Sequence, residues 1–120
     1  MIKLVYAIRR RADLSPERFR KRWLEHAPLV REVATAIRAR RYLQSHTVDT
    51  PLNALLAESR GMAEGFDGIA EVWWDSIDEI VAGMNSPESL DAQRRLLEDE
   101  RELTDLTSSF VFLTEEHSIF

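Results

Sequence analysis

His26 is the side chain best suited to do chemistry in this sequence. It falls on the apolar side of a helical pattern, between Trp23 and Val30. An imidazole with a pKa near ~6.5 can accept and donate protons at neutral pH. The alternative is a structural histidine that hydrogen-bonds to the backbone carbonyl left free by Pro28. We predict that His26 acts as a general acid or base.

His46 and Tyr42 are the candidate partners of His26. With Gln44 between them, they fall on one face of a predicted strand. If that face points towards the helices, both side chains share a cavity with His26 and can serve as its proton-transfer counterpart or stabilise a developing oxyanion. The opposite orientation would place His46 in an interface between subunits.

Four further residues are predicted to bind a substrate: Tyr6, Trp23, Glu71 and Trp73. The aromatic residues are typical of a core or an interface, and in a cavity they would contact a flat aromatic ligand. Glu71 lies within an apolar strand and needs a partner if it is buried. It is either a general base or one half of an ion pair with an arginine of the N-terminal half.

Other kinds of site are not indicated. The three histidines lack metal-ligand spacing, His117 has no predicted role, and the chain has no cysteine and only four glycines. We therefore predict no metal site, and no phosphate-binding loop or nucleophile elbow is recognisable.

The composition predicts one globular domain spanning residues 1–120, since 44% of its residues are hydrophobic. No apolar run reaches the ~20 residues of a membrane span, and the start of the sequence lacks the zones of a signal peptide. With no cysteine, a cytoplasmic location is expected.

The charges are unevenly distributed along the chain. Residues 1–45 hold 12 of the 16 basic residues and residues 46–120 hold 17 of the 21 acidic ones. This split predicts a basic helix beside an acidic one, because no aromatic residues alternate with the basic ones as in nucleic-acid-binding surfaces.

The positions of these residues depend on a predicted order βαββαβ. A helix capped by Ser15 begins at Pro16 and ends near Arg38, and a second interrupted helix begins at the capping box Ser76–Glu79, restarts at Ser86–Pro87 and continues to Asp105. The irregular connection 49–66 holds a short helix closed by Gly61, and its length is typical of a lid or binding loop. The predicted strands are Ile2–Arg9, Arg41–Val48, Ile69–Asp75 and Ser109–Thr114, followed by a tail.

This order predicts an α+β, ferredoxin-like fold: a four-stranded antiparallel sheet with both helices on one face. A monomer would expose the other face of the sheet and should have polar residues there. Strands one, three and four are instead apolar on both faces. We therefore predict a homodimer whose sheets pack face to face.

Three segments also resemble the EthD-like family of dimeric α+β barrel proteins. The stretch LSPERFRKRWLEHAPLV resembles the family signature at Leu14, Ser15, Phe19, Trp23, His26, Pro28 and Leu29. FDGIAEVWWDS at 66–76 is similar to the third strand of the family, and NSPE at 85–88 to its interrupted helix.

The resemblance implies a dimer whose sheets form a barrel, with a pocket between the helices and the sheet of each subunit. It also implies chemistry without metal or organic cofactor, and it associates the histidine at position 26 with the active site. The leading hypothesis is an isomerase, cyclase, decarboxylase or other lyase acting on a small apolar cyclic or aromatic metabolite. The alternatives are a binding protein for such a molecule and a haem-binding barrel.

Overall fold

The computed structural model describes residues 1–120 as a four-stranded antiparallel sheet with helices on one face. In chain order the elements are β1 (Ile2–Ile8), α1 (Pro16–Val33), β2 (Arg41–His46), α2 (Leu52–Glu58), β3 (Gly68–Trp74), α3 (Ile77–Ala82), α4 (Pro87–Glu100) and β4 (Phe110–Glu115), with a 3₁₀ turn at Leu106–Ser108. The strand order is β2-β3-β1-β4 and each neighbouring pair is antiparallel. This α+β architecture confirms the predicted ferredoxin-like fold, and the strand bounds differ from the predicted ones by one or two residues.

Helix α1 has the apolar periodicity of a helix packed on a sheet, and its first turn is fixed by a side chain. The Ser15 hydroxyl accepts a hydrogen bond from the Arg18 N–H at 3.1 Å. The helix ends at Val33, before the predicted end near Arg38. The chain continues in turns over residues 34–38, and Arg38 adopts a left-handed φ of 61°. The N–H of Ala39 then donates to the carbonyl of Ala34, which closes the helix. The buried side chains of α1 are Phe19, Trp23, His26, Val30 and Val33.

Helices α3 and α4 begin at the predicted caps. The Ser76 hydroxyl accepts from the Glu79 N–H, and the Ser86 hydroxyl accepts from the Ser89 N–H. Helix α4 ends at Glu100 rather than at Asp105. The Asp105 carboxylate instead accepts from the Thr107 N–H and caps the following 3₁₀ turn.

Alternation along the strands decides which residues meet the helices. In the β1–β3 register Leu4 lies opposite Val72 and Tyr6 opposite Ala70, and these residues face α1 and α4. The buried core cluster combines Ile8, Phe19, Trp23, Ala70 and Leu103. A Cβ atom at Gly68 would lie 2.4 Å from the Trp23 ring. Glycine at this position therefore allows the indole to pack directly against the start of β3.

The opposite side of the sheet, which we call the outer face, is uncovered and exposes apolar side chains beside the Lys3–Glu71 ion pair. Phe110 and Phe112 on β4 are 62% and 51% exposed, and Leu43 and Ile69 are also exposed. Helix α2 has no buried residue, although it contains three leucines. The chain therefore presents apolar surface that a single subunit does not bury.

Candidate active site

A cavity of about 300 Å³ lies between the sheet and the helices α1, α3 and α4, and we call it the central cavity. Hydrophobic residues make up 15 of the 20 that line it. The remaining lining residues are His26, Gly83, Gln93, Glu100 and Thr104. The volume is at the lower end of ligand pockets, which span about 300–1,000 Å³. The cavity therefore suits a small, mostly apolar molecule.

His26 is buried at the wall of this cavity and is bound to a carboxylate. Its Nδ1 atom lies 2.5 Å from Oδ2 of Asp99, which is on α4. Arg22, one turn earlier on α1, binds the other oxygen of the same carboxylate. His26 therefore has a side-chain partner, and not the backbone carbonyl that the structural alternative required.

The contact with Asp99 fixes the chemistry available to His26. Burial raises the pKa of Asp99, but the hydrogen bonds from Arg22 and His26 outweigh it and hold that pKa below its usual value. An ionised carboxylate only accepts hydrogen bonds, so Nδ1 of His26 carries the hydrogen. The lone pair of the neutral imidazole then lies on Nε2, which is free to take up a proton.

Glu100, the next residue on α4, is a second titratable group of the central cavity. Burial raises the pKa of Glu100 to about 7. The negative charge of Asp99 adds to this rise, whereas a hydrogen bond with the Tyr6 hydroxyl acts against it. Burial and the Glu100 carboxylate in turn raise the pKa of Tyr6. The cavity therefore holds a carboxyl group that exists in both protonation states near neutral pH.

Tyr42 and His46 are linked by Gln44, but they differ in their relation to the cavity. The Gln44 Nε2 atom donates to the Tyr42 hydroxyl at 3.0 Å, and its Oε1 atom accepts from Nε2 of His46 at 2.8 Å. Tyr42 lines the central cavity, and burial raises its pKa. His46 does not line it: its ring stacks on Trp23 with centroids 4.4 Å apart. Burial and the Arg20 charge lower the pKa of His46.

The structure places the other predicted binding residues on both sides of the sheet. Tyr6 and Trp23 line the central cavity, whereas Glu71 and Trp73 lie on the outer face. Because side chains alternate along β3, the residue that reaches the cavity is Trp74 rather than Trp73. Glu71 and Trp73 therefore do not line this cavity, and their predicted contact with a substrate stays a prediction.

On the outer face these two residues have structural partners. Glu71 forms an ion pair with Lys3 at 2.7 Å, so the ion-pair alternative holds with a lysine in place of an arginine. The Trp73 indole donates to Glu116 at 2.6 Å and packs beneath Arg41. The Glu71 carboxylate and the Trp73 indole N–H therefore both have polar partners within the protein.

Asp99 and Glu100 were missed by the sequence interpretation. One signal was present for Glu100, because it continues the apolar spacing Ala92, Leu96, Leu103 of α4. An acidic residue on that side of a helix must reach the core or a cavity. Asp99 had no comparable local signal, since its partner His26 lies 73 residues earlier in the chain.

The connection 49–66 does not close the central cavity, since none of its residues lines that space. It borders a separate polar cleft of about 710 Å³ together with His46, Asp67 and Gly68. Its position therefore does not support a lid over the central cavity, and the other predicted role, a binding loop, stays a prediction.

No group of three or more histidine, cysteine or acidic side chains comes together in a way that could hold a metal ion. None of the helices combines the length and the apolar composition needed to cross a lipid bilayer.

Comparison with known proteins identifies the family. Residues 11–107 match the model of the EthD domain. The chain belongs to the EthD family. None of the curated protein sequences gives a significant match to this EthD protein.

Solved structures share the fold of the EthD chain at low identity. An EthD family protein from Bacillus halodurans has a TM-score of 0.63 at 18% identity, over 98% of this chain and 99% of that one. A dimeric ferredoxin-like protein of unknown function from Bacteroides fragilis has a TM-score of 0.59 at 14% identity, over 96% and 95%. SnoaB of Streptomyces nogalater, a cofactor-independent oxygenase solved as a mutant, has a TM-score of 0.54 at 15% identity, over 98% and 95%. At these identities the likeness shows the fold alone.

Proposed function

We propose that this EthD protein is a cofactor-independent enzyme that transfers protons on a small, mostly apolar cyclic or aromatic metabolite bound in the central cavity. An isomerase, cyclase, decarboxylase or other lyase fits this description. The observation that carries the proposal is the His26–Asp99 hydrogen bond at the wall of an apolar cavity. The likeness to SnoaB, described as a cofactor-independent oxygenase, gives further support for chemistry without a cofactor on this fold.

The proposed reaction begins with removal of a proton from a carbon atom next to a carbonyl group. The C–H bond breaks, Nε2 of His26 takes the proton, and the electron pair moves to the carbonyl oxygen to give an enolate. Asp99 stabilises the imidazolium that forms. Protonated Glu100 or the Tyr42 hydroxyl donates a hydrogen bond to the enolate oxygen. Return of the proton to a different atom completes an isomerisation.

Deuterium exchange tests this proposal and does not require the natural substrate to be identified. The small molecule that copurifies with the protein, together with 1-tetralone as a standard ketone, is incubated with the protein in D₂O and followed by mass spectrometry. Incorporation of deuterium faster than in a sample without protein would support the proposed proton-transfer activity. Retention of the molecule without exchange would instead establish the binding-protein alternative.

The binding-protein alternative is favoured by one observation, the strongly apolar lining of the cavity. The haem alternative is less well supported, because a cavity of about 300 Å³ favours a smaller molecule. A cytoplasmic location and the absence of nucleic-acid and membrane partners stay predictions.

Replacing Asp99 is expected to slow proton transfer by about 10²-fold, because the imidazole would lose its fixed tautomer and orientation. Asp99→Asn keeps the size of the side chain and removes its charge. The exchange rate and the NMR signal of the His26 Nδ1 proton measure the effect. Asp91→Asn, which removes an exposed ion pair with Arg94 on the same helix, is the matched control and should leave both unchanged. An Asp99→Asn protein with wild-type exchange would contradict the role given to Asp99.

We also propose that the protein is a homodimer that covers its outer face. Phe110, Phe112 and Ile69 expose apolar surface there, and burial of apolar surface contributes ~25 cal/mol per Å² before the costs of association. Structural neighbours from Bacteroides fragilis and Thermobifida fusca are described as dimeric, which supports the same assembly.

Light scattering is expected to give twice the chain mass of 13.9 kDa. Phe112→Asp should shift the protein to a monomer, because a carboxylate would be buried without a partner in the interface. Leu90→Asp introduces the same charge at an exposed position of α4 and is expected to leave the dimer intact. A wild-type monomer at micromolar concentration would exclude this assembly.

A further inference from the structure

The central cavity is lined by one acidic side chain, Glu100, and by no lysine or arginine. Its titratable lining residues are Tyr6, His26, Tyr42 and Glu100. The Arg22 guanidinium next to the site is bound to the Asp99 carboxylate. A ligand carboxylate in this cavity would therefore find no free cationic partner of the protein other than a protonated His26.

Glu100 adds an obstacle to an anionic ligand. Like charges in a buried site disfavour each other, so a ligand carboxylate could enter only if Glu100 were protonated. A neutral carbonyl or amide has no such conflict. It accepts a hydrogen bond from the protonated carboxyl, and an amide N–H donates to the ionised carboxylate.

We propose that the central cavity selects uncharged ligands that carry a hydrogen-bonding oxygen or nitrogen, and that Glu100 is the residue that rejects carboxylates. The inference rests on the proposed function for its ligand site, but it requires no turnover. It disfavours a decarboxylase among the proposed activities, because the substrate of a decarboxylase carries a carboxylate. A binding protein would show the same selectivity.

The groups that face Glu100 determine the pH range of the effect. Tyr6 on β1 and Tyr42 on β2 stay neutral because their pKa values are raised. Asp99 on the same helix stays ionised, and it is paired with Arg22 and with His26 on α1. Between pH 6 and pH 8 Glu100 changes charge, since its pKa is about 7. A Glu100 variant leaves the contacts of Asp99 with His26 and Arg22 in place.

A matched pair of probes tests the proposal: 2-naphthamide is neutral, and 2-naphthoate has a similar shape with a negative charge. Binding of both is measured by equilibrium dialysis at pH 6 and pH 8. If the anion binds only when Glu100 is protonated, its Kd should rise by about tenfold between these pH values, because pH 8 is one unit above the pKa of about 7. The Kd of the amide should change by less than about twofold.

Glu100→Gln should remove the pH dependence of naphthoate binding, because glutamine keeps the shape of the side chain without its charge. Glu98→Gln, at an exposed position of α4 that pairs with Arg94, should behave like the wild type. Three results would overturn the proposal: naphthoate binding that is independent of pH, a pH dependence that persists in Glu100→Gln, or no binding of either probe. Selective binding without deuterium exchange would refute the enzymatic function and leave this inference intact.

Discussion

His26→Gln is expected to lower the rate of catalysed deuterium exchange by about 10²–10⁴-fold, the usual contribution of a general acid or base. Glutamine retains a polar side chain of similar reach but cannot take up the proton. The central cavity and its apolar lining would remain, so ligand retention should change much less than the exchange rate. Mass spectrometry of the ligand in D₂O measures the rate, and dialysis of the same sample measures retention.

A second histidine provides the control for this variant. His117 lies in the exposed tail, so His117→Gln changes the same side chain without approaching the cavity. Circular dichroism of both variants verifies that the fold is retained, since His26 also bonds to Asp99 between α1 and α4. Wild-type exchange by a folded His26→Gln protein would remove the general base from the proposed reaction.

The free energy of unfolding is expected to fall by up to about 3 kcal/mol between pH 5 and pH 8 through Glu100. Burial raises the pKa of its carboxyl from 4.5 to about 7 in the folded protein. The folded state therefore binds more protons than the unfolded state in this range, and stability decreases as the pH rises. Each unit of pKa difference corresponds to about 1.4 kcal/mol. Urea unfolding at the two pH values measures the change.

Glu100→Gln isolates this contribution. The variant should lose the decrease between pH 5 and pH 8, and at pH 8 it should be more stable than the wild type. Glu98→Gln is the control, because Glu98 is exposed and pairs only at the surface. Equal pH dependence in the wild type and in Glu100→Gln would show that the carboxyl group is not buried as described.

The sequence predicted the fold and the position of His26 well, because both follow from local patterns. The caps at Ser15, Ser76 and Ser86 depend on residues within one turn of a helix, and the apolar spacing of α1 places His26 on its inner side. The end of α1 was less predictable. The chain leaves α1 through turns over residues 34–38, which contain no glycine or proline, and it reaches a positive φ at Arg38, a conformation that non-glycine residues adopt uncommonly.

The side of β3 that faces the cavity could not be predicted from its own sequence. Trp73 and Trp74 are adjacent and both buried, so the apolar pattern does not distinguish the two faces. The distinction comes from the pairing with β1 and from the polar partners of Glu71 and Trp73 on the outer face. Likewise, the contact between His26 and Asp99 depends on how α1 packs against α4, which no local spacing encodes.

The stacked rings of Trp23 and His46 form a partition between two spaces of the molecule. Trp23 lines the central cavity, whereas His46 borders the polar cleft beside the connection 49–66. Gly68 holds this partition tightly against β3, because any larger side chain would collide with the indole. A solute that enters the cleft and displaces the imidazole would thus change the packing of Trp23 and, through it, the wall of the neighbouring chamber.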